Sequence, residues 1–172
     1  LWAYFSFTFF FFLGGLRFTK GKYDVIVVTS PPLFVGITAY VLSLLKRTPF
    51  VFEIRDLWPE SAIDTGVLTN GILIKFAYWF EKFMYKKARL INVLTPAFRD
   101  KLITEKGVSF DKIIFIPNAA DFSLSEKLLT GFDVSNFRKE HDLEDKFVVT
   151  YVGAHGVANH LVQVLDTAEL LP

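Results

Sequence analysis

Arg55, Asp56 and Glu60 fall within six residues of one another, in the string Glu53-Ile54-Arg55-Asp56-Leu57-Trp58-Pro59-Glu60. A guanidinium beside two carboxylates can fix hydroxyl groups or a phosphate, and Trp58 and Pro59 stiffen the segment that presents them. The residues ahead of them, 49–54, are β-branched and aromatic and predict a strand. Ionisable groups at the carboxyl end of a buried strand are costly unless they line a crevice, and in open α/β sheets ligands bind at that end. The same groups could instead pair, Arg55 with Asp56 or with Glu60, and simply brace the loop.

Three other segments follow predicted strands in the same way. Ser30-Pro31-Pro32 closes the apolar run 23–29; it either meets a ligand through Ser30 and Pro31 or only starts the next helix. Pro117-Asn118 with Asp121 offers an amide and a carboxylate, although Asn and Asp also favour plain turns because they bond local backbone. Gly153-Ala154-His155-Gly156 reads as a strand-to-helix turn, whose N–H groups and helix dipole would suit a diphosphate. His155 could donate to that phosphate or serve as a base; alternatively it is an exposed turn histidine between glycines needed for backbone geometry.

The elements that must position these residues alternate. Predicted strands cover 23–29, 49–54, 90–94 and 112–116, and predicted helices cover 33–46, 71–88 with Asn70 as cap, and a segment from Thr95-Pro96 to near Gly107. The strands are continuous apolar runs, as buried parallel strands are. The fold class is therefore α/β: a Rossmann-like parallel sheet with helices on both faces, over residues 1–121. Residues 122–146 are polar and read as a linker with one short helix near 135–141. Residues 147–172 read as a strand at 147–152, the glycine turn and a helix from 157, the first βα unit of a second Rossmann-like domain.

The 172 residues are 52% hydrophobic and 17% aromatic, with 20 Phe and a mean hydropathy of +0.36. Such a chain can bury a large core and leave apolar surface for a partner or a membrane. It has no cysteine, hence neither disulfides nor thiolate metal ligands, and its three histidines argue against a zinc site. Residues 1–90 carry 11 Lys/Arg against 6 Asp/Glu, and residues 91–172 carry 8 against 12. A basic, aromatic first half suits an anionic lipid surface or phosphorylated ligands, and no basic run supports nucleic acid. Residues 1–16 are almost wholly apolar but shorter than the about 20 residues a spanning helix needs, so they read as core helix, interfacial helix or the tail of a spanning segment. On the helix 71–88, Lys75, Lys82, Lys86 and, just beyond it, Arg89 share one face beside Tyr78 and Tyr85. That face is either membrane-facing or an ordinary solvated surface.

The ordered set Ser30-Pro31-Pro32, Glu53 to Glu60, Ile116-Pro117-Asn118 with Asp121, and Tyr151 to Gly156 resembles the retaining GT-B glycosyltransferases of family 4, in particular bacterial fucosaminyl- and N-acetylhexosaminyl-transferases of lipopolysaccharide and capsule assembly. The resemblance implies two Rossmann-like domains facing across a cleft. It places Ser30, Pro31, Arg55, Asp56, Glu60, Asn118 and Asp121 on the acceptor side, and Gly153, His155 and Gly156 near the donor diphosphate. None of these is assigned as a catalytic base. Ala119 stands where the family turn usually has glycine, and Asn159-His160 where Lys-Gly or Gln-Gly usually precedes the helix. The resemblance also implies that the family's first strand and most of its donor domain lie outside this chain, which by itself is then expected to be inactive.

The expected activity is transfer of a sugar from a nucleotide diphosphate sugar, UDP-linked for preference, to a lipid-linked saccharide. No cofactor or metal is expected, and the expected location is the cytoplasmic face of a bacterial plasma membrane, peripherally bound. Two other readings remain open: a nucleotide-sugar epimerase of the same architecture, and a non-catalytic membrane-associated module that binds an acceptor or partner.

Overall fold

A computed structural model describes residues 2–156 and 159–170. Four short apolar runs become the strands β1 (Ile26–Ser30), β2 (Phe50–Ile54), β3 (Leu90–Val93) and β4 (Ile113–Phe115) of one parallel sheet in the order β1-β2-β3-β4. Parallel neighbours need crossover connections. These are α2 (Val35–Lys46), then α3 (Glu60–Asp64) with α4 (Gly71–Lys87), then α5 (Pro96–Thr104) with a 3₁₀ turn at Phe110–Lys112. An amino-terminal helix, α1 (Trp2–Arg17), precedes them. The architecture is the α/β sheet flanked by helices that the sequence predicts.

Alternation along the strands decides which face is dry. Val28, Phe50, Phe52, Ile54, Ile91 and Val93 point to one face and meet Leu33, Ala39, Phe80, Met84, Tyr85 and Leu102 in a single core. Phe50, Phe52 and Ile54 are each 1% exposed, and burying side chains of this size contributes about 1.5–3 kcal/mol apiece. Gly36 lets α2 approach α4, since a Cβ there would stand 2.7 Å from Met84 Cε. The helix α1 lies on α2, where the Thr38 hydroxyl donates to the Thr8 carbonyl at 3.0 Å.

The caps foreseen in the sequence form. The Asn70 side chain accepts from Ile72 and Leu73 N–H at the start of α4, and the Thr95 hydroxyl accepts from Phe98 N–H ahead of Pro96. Each such cap is worth about 1 kcal/mol.

The opposite face of the sheet carries a polar row. The Thr29 hydroxyl donates to Glu53 Oε1 at 3.1 Å, Asn92 Nδ2 donates to Glu53 Oε2 at 2.9 Å, and Asn92 Oδ1 accepts from Ile116 N–H at 3.0 Å. One hydrogen-bonded line thus crosses β1, β2 and β3 at matched register and ends on the residue just after β4.

The chain divides into two compact units, Leu1–Asn118 and Ala119–Pro172. The second contains α6 (Phe122–Leu129), α7 (Val134–Glu140) and α8 (Val162–Glu169). Here the structure corrects two expectations. The segment read as a linker with one short helix holds two, and the residues ahead of them, Asp121 and Asp133, are N-caps that accept from Ser123 and Asn136 N–H. The strand expected at 147–152 does not form, and Phe147 is 95% exposed. A strand needs a neighbour to take its N–H and C=O groups, and among the described residues this run has no neighbouring strand. The helix expected from 157 is observed from Val162; residues 157, 158, 171 and 172 lie outside the described residues.

Candidate functional site

Because all four strands are parallel, the segments that leave them share one edge. Arg55 N–H continues the ladder by donating to the Ser30 carbonyl at 3.0 Å, and Ile116 N–H does so toward the Val93 carbonyl at 3.3 Å. These two extensions bring Arg55 and Asn118 together: Arg55 Nη2 donates to Asn118 Oδ1 at 3.3 Å across 63 positions of sequence. Both side chains are exposed, so the guanidinium keeps free donors at the sheet edge. Ser30 sits beside them but is 2% exposed. The Ser30–Pro31, Pro31–Pro32 and Trp58–Pro59 peptide bonds are cis.

The rest of the loop is held from below. The Asp56 carboxylate accepts from the Ser61 hydroxyl at 2.7 Å, and Trp58 N–H donates to the Asp56 carbonyl. The Trp58 ring meets Phe34 edge-on at 5.8 Å, and Phe34 stacks on Phe80 of α4.

Glu60 has a different fate. Its carboxylate is taken up by Lys106, whose ammonium also donates to Glu81 Oε2 at 2.9 Å and lies 4.8 Å from the centre of the Tyr78 ring. Glu81 is 2% exposed and accepts from the Tyr85 hydroxyl at 2.8 Å. Burial pushes the Glu81 carboxyl above its ordinary value even though Lys106 and Tyr85 act to lower it. Burial alone would lower Lys106, but its bonds to Glu60 and Glu81 carry it above the ordinary lysine range, so it stays cationic. Burial, then Glu81, raises the Tyr85 phenol as well. Glu60 Oε2 is buried with no hydrogen bond. Glu60 is therefore paired, and its partner is Lys106 rather than Arg55.

On α4 the lysines Lys75, Lys82 and Lys86 are exposed along one flank, followed by exposed Arg89. Tyr85 turns inward, while Ile72, Phe76 and Trp79 stand in solvent, Trp79 at 60% exposure. Phe76 and Trp79 lie ring to ring at 5.7 Å, and Trp79 stacks on Phe83. On α1, Phe7, Phe9, Phe10 and Phe11 are exposed too.

In the second unit, Asp121 caps α6, and its bonds from Ser123 hold its carboxyl below the usual range. Gly153, His155 and Gly156 lie in an irregular exposed segment. The Tyr151 hydroxyl donates to the Ala154 carbonyl at 3.0 Å, and the Tyr151 and His155 rings are 5.9 Å apart. A Cβ on Gly153 would stand 2.8 Å from the Tyr151 hydroxyl, the free end of an exposed side chain. The next α-helix among the described residues, α8, begins at Val162.

Residues 2–119 match the family described as the glycosyl transferase 4-like domain. The chain belongs to that family. No curated protein matches the chain. The match spans the whole described first unit, so the edge that carries Arg55 and Asn118 belongs to a glycosyltransferase domain, whose work in general requires a nucleotide sugar and an acceptor.

Three features of this glycosyltransferase domain escape a reading of its sequence. Lys106 lies 46 positions from Glu60 in an ordinary helix-end context, and nothing local marks it. Glu53 and Asn92 did carry a signal, as polar residues inside continuous apolar strands. Trp79 follows Phe76 by three and Ile72 by seven, the spacing that puts all three on one helix face beside the lysines.

Proposed function

We propose that the first unit is the acceptor side of a retaining glycosyltransferase that moves a sugar from a nucleotide diphosphate sugar, UDP-linked for preference, to a lipid-linked saccharide in bacterial surface polysaccharide or lipopolysaccharide synthesis. The observation that carries the reading is that one unit holds both the open Arg55–Asn118 edge and an exposed aromatic ridge flanked by lysines. A lipid-linked acceptor is met at a membrane surface. The ridge Ile72, Phe76, Trp79 supplies apolar area for that surface, and Lys75, Lys82, Lys86 and Arg89 supply charge, about 1 kcal/mol for each cation near an anionic leaflet. No described helix is long and apolar enough to cross a membrane, and a peripheral position on the cytoplasmic face accords with this.

In this reading Arg55 fixes acceptor hydroxyls or phosphate with its free donors, Asn118 holds the guanidinium, and Asp56 orients a hydroxyl with its second oxygen. Glu60, committed to Lys106, braces the loop. Gly153, His155 and Gly156 serve the donor diphosphate, with helix termini and basic groups neutralising the leaving charge.

The test uses the intact gene product with bacterial membranes and a panel of UDP- and GDP-sugars, following nucleotide release and labelled lipid. Donor-dependent release that falls in Arg55→Ala supports the reading. Release that proceeds without any membrane lipid, or none from any donor, overturns it.

A further inference from the structure

Beside the ridge, α4 and the turn that leads into β4 enclose a cavity of about 430 Å³, within the range of small-ligand pockets. Tyr78, Lys82 and Lys86 line it from α4, and Ser109 and Lys112 from the turn. Lys106 lines it as well but is taken up by Glu81, which also accepts from Tyr85 in the same wall, and Glu105 pairs with Lys101 at 3.7 Å. Among the described residues, Lys82, Lys86 and Lys112 have no carboxylate within ion-pair distance. Asp111 acts on Lys112 only from beyond that distance, and three cations without an ion pair around one cavity ask for an anion. Lys112 is further drawn in, donating to the Lys86 carbonyl at 2.8 Å, and burial lowers its ammonium below the ordinary lysine range. An anion in the cavity would reverse that shift.

The position of the cavity says which anion. Lys82 and Lys86 are one helical turn apart, and on the helix circumference they stand between the cavity and the Ile72, Phe76, Trp79 ridge. A ligand with a charged head and an apolar tail therefore has a place for each, side by side on α4. We propose that this cavity binds the phosphate of an anionic phospholipid head group, with the acyl chain lying against the aromatic ridge. The proposal rests on the membrane reading above and adds to it a specific head-group site, distinct from the Arg55–Asn118 edge.

The test is co-sedimentation of the intact protein with vesicles of phosphatidylcholine alone and of phosphatidylcholine with phosphatidylglycerol. The wild type is expected to favour the anionic vesicles, and Lys82→Gln/Lys112→Gln to lose that preference by ten-fold or more. Lys75→Gln, on the same flank but outside the cavity, is expected to lose only the few-fold that one general surface charge supplies. Lys82→Gln alone, at an exposed position, carries the same expectation should Lys112→Gln fail to fold. Equal losses for Lys75→Gln and Lys82→Gln would reduce the effect to undirected charge and overturn the head-group site while leaving membrane attachment intact. Binding to both vesicle types alike, abolished by Trp79→Ser, would do the same. If soluble glycerol 1-phosphate displaces the protein from anionic vesicles at concentrations comparable to the lipid, the cavity takes free phosphate esters and the lipid assignment falls. No binding to either vesicle would remove the membrane reading itself, and this proposal with it.

Discussion

Arg55 and Glu60 are five positions apart on one loop, and both were candidates to meet a ligand. The structure treats them oppositely. Arg55 stands in solvent with one long bond to Asn118, most of its donors unspent. Glu60 is drawn under the loop to Lys106, which is itself clasped by buried Glu81. Charge near the end of a strand is thus used in two ways within a single turn of chain: the open group can change partners, and the closed group keeps the loop from moving while it does so. A positioned guanidinium is useful only if the backbone beneath it is fixed.

The contrast is broken most forcefully at Lys106. Lys106→Met would leave Glu81 and Glu60 without their cation, and removing one partner of a buried pair costs about 3–5 kcal/mol. Lys106→Arg should restore part of that. Urea unfolding of the two variants checks it, and a loss below about 1 kcal/mol in Lys106→Met would place the triad among ordinary surface pairs.

At the other end, Arg55→Ala should leave stability within about 0.5 kcal/mol of wild type. Transfer by the intact enzyme should fall about ten- to hundred-fold, the worth of a charged hydrogen bond to substrate. A drop in melting temperature with unchanged transfer would exchange the roles of Arg55 and Glu60.

The closed end should also titrate. Because burial raises Glu81, the folded protein keeps a proton that the unfolded chain has released above its ordinary value of 4.5. The contribution of Glu81 to stability is therefore full below that pH and is lost as pH rises through the folded-state value. Glu81→Gln, which can still accept from Tyr85, should flatten the decline. Parallel stability curves for wild type and Glu81→Gln would show that the carboxyl is not perturbed.

The smallest effect belongs to Asn118→Ala. It removes a single exposed 3.3 Å bond, so stability should not change measurably, while transfer should fall only a few-fold as the guanidinium loses its tether. A loss equal to that of Arg55→Ala would give Asn118 its own contact with substrate.

Much of the first unit was legible because its signals are local. Apolar β-branched runs made β1 to β4, and Asn70 and Thr95 announced their helices. The helix α3 was not, since five residues after a proline carry no period. The same local rules misled in the second unit: Asp121 serves equally well as a turn residue and as a cap, and residues 147–152 have the composition of β1 without a neighbouring strand among the described residues. Amide exchange should separate those two runs, with slow exchange at Val28 and Ser30, whose N–H groups face β2, and fast exchange through 147–152. The open half of the site could be read because strand ends are marked by their charges. The closed half could not, because Lys106 reaches Glu60 only through the fold.

The polar row across the sheet has a consequence best put in the language of machine tolerances. When parts are joined in series, the play at each joint adds, and a long train of loose joints cannot hold its last part to a small error. Here the train is short. From Glu53 it is two residues to Arg55; from Asn92 one side-chain bond reaches Ile116, and two residues more reach Asn118. Glu53 and Asn92 are themselves joined at 2.9 Å, which closes the train into a loop. A closed train of few joints limits the play between its last two members, so a glutamate and an asparagine inside the sheet set how finely an arginine outside it can be aimed.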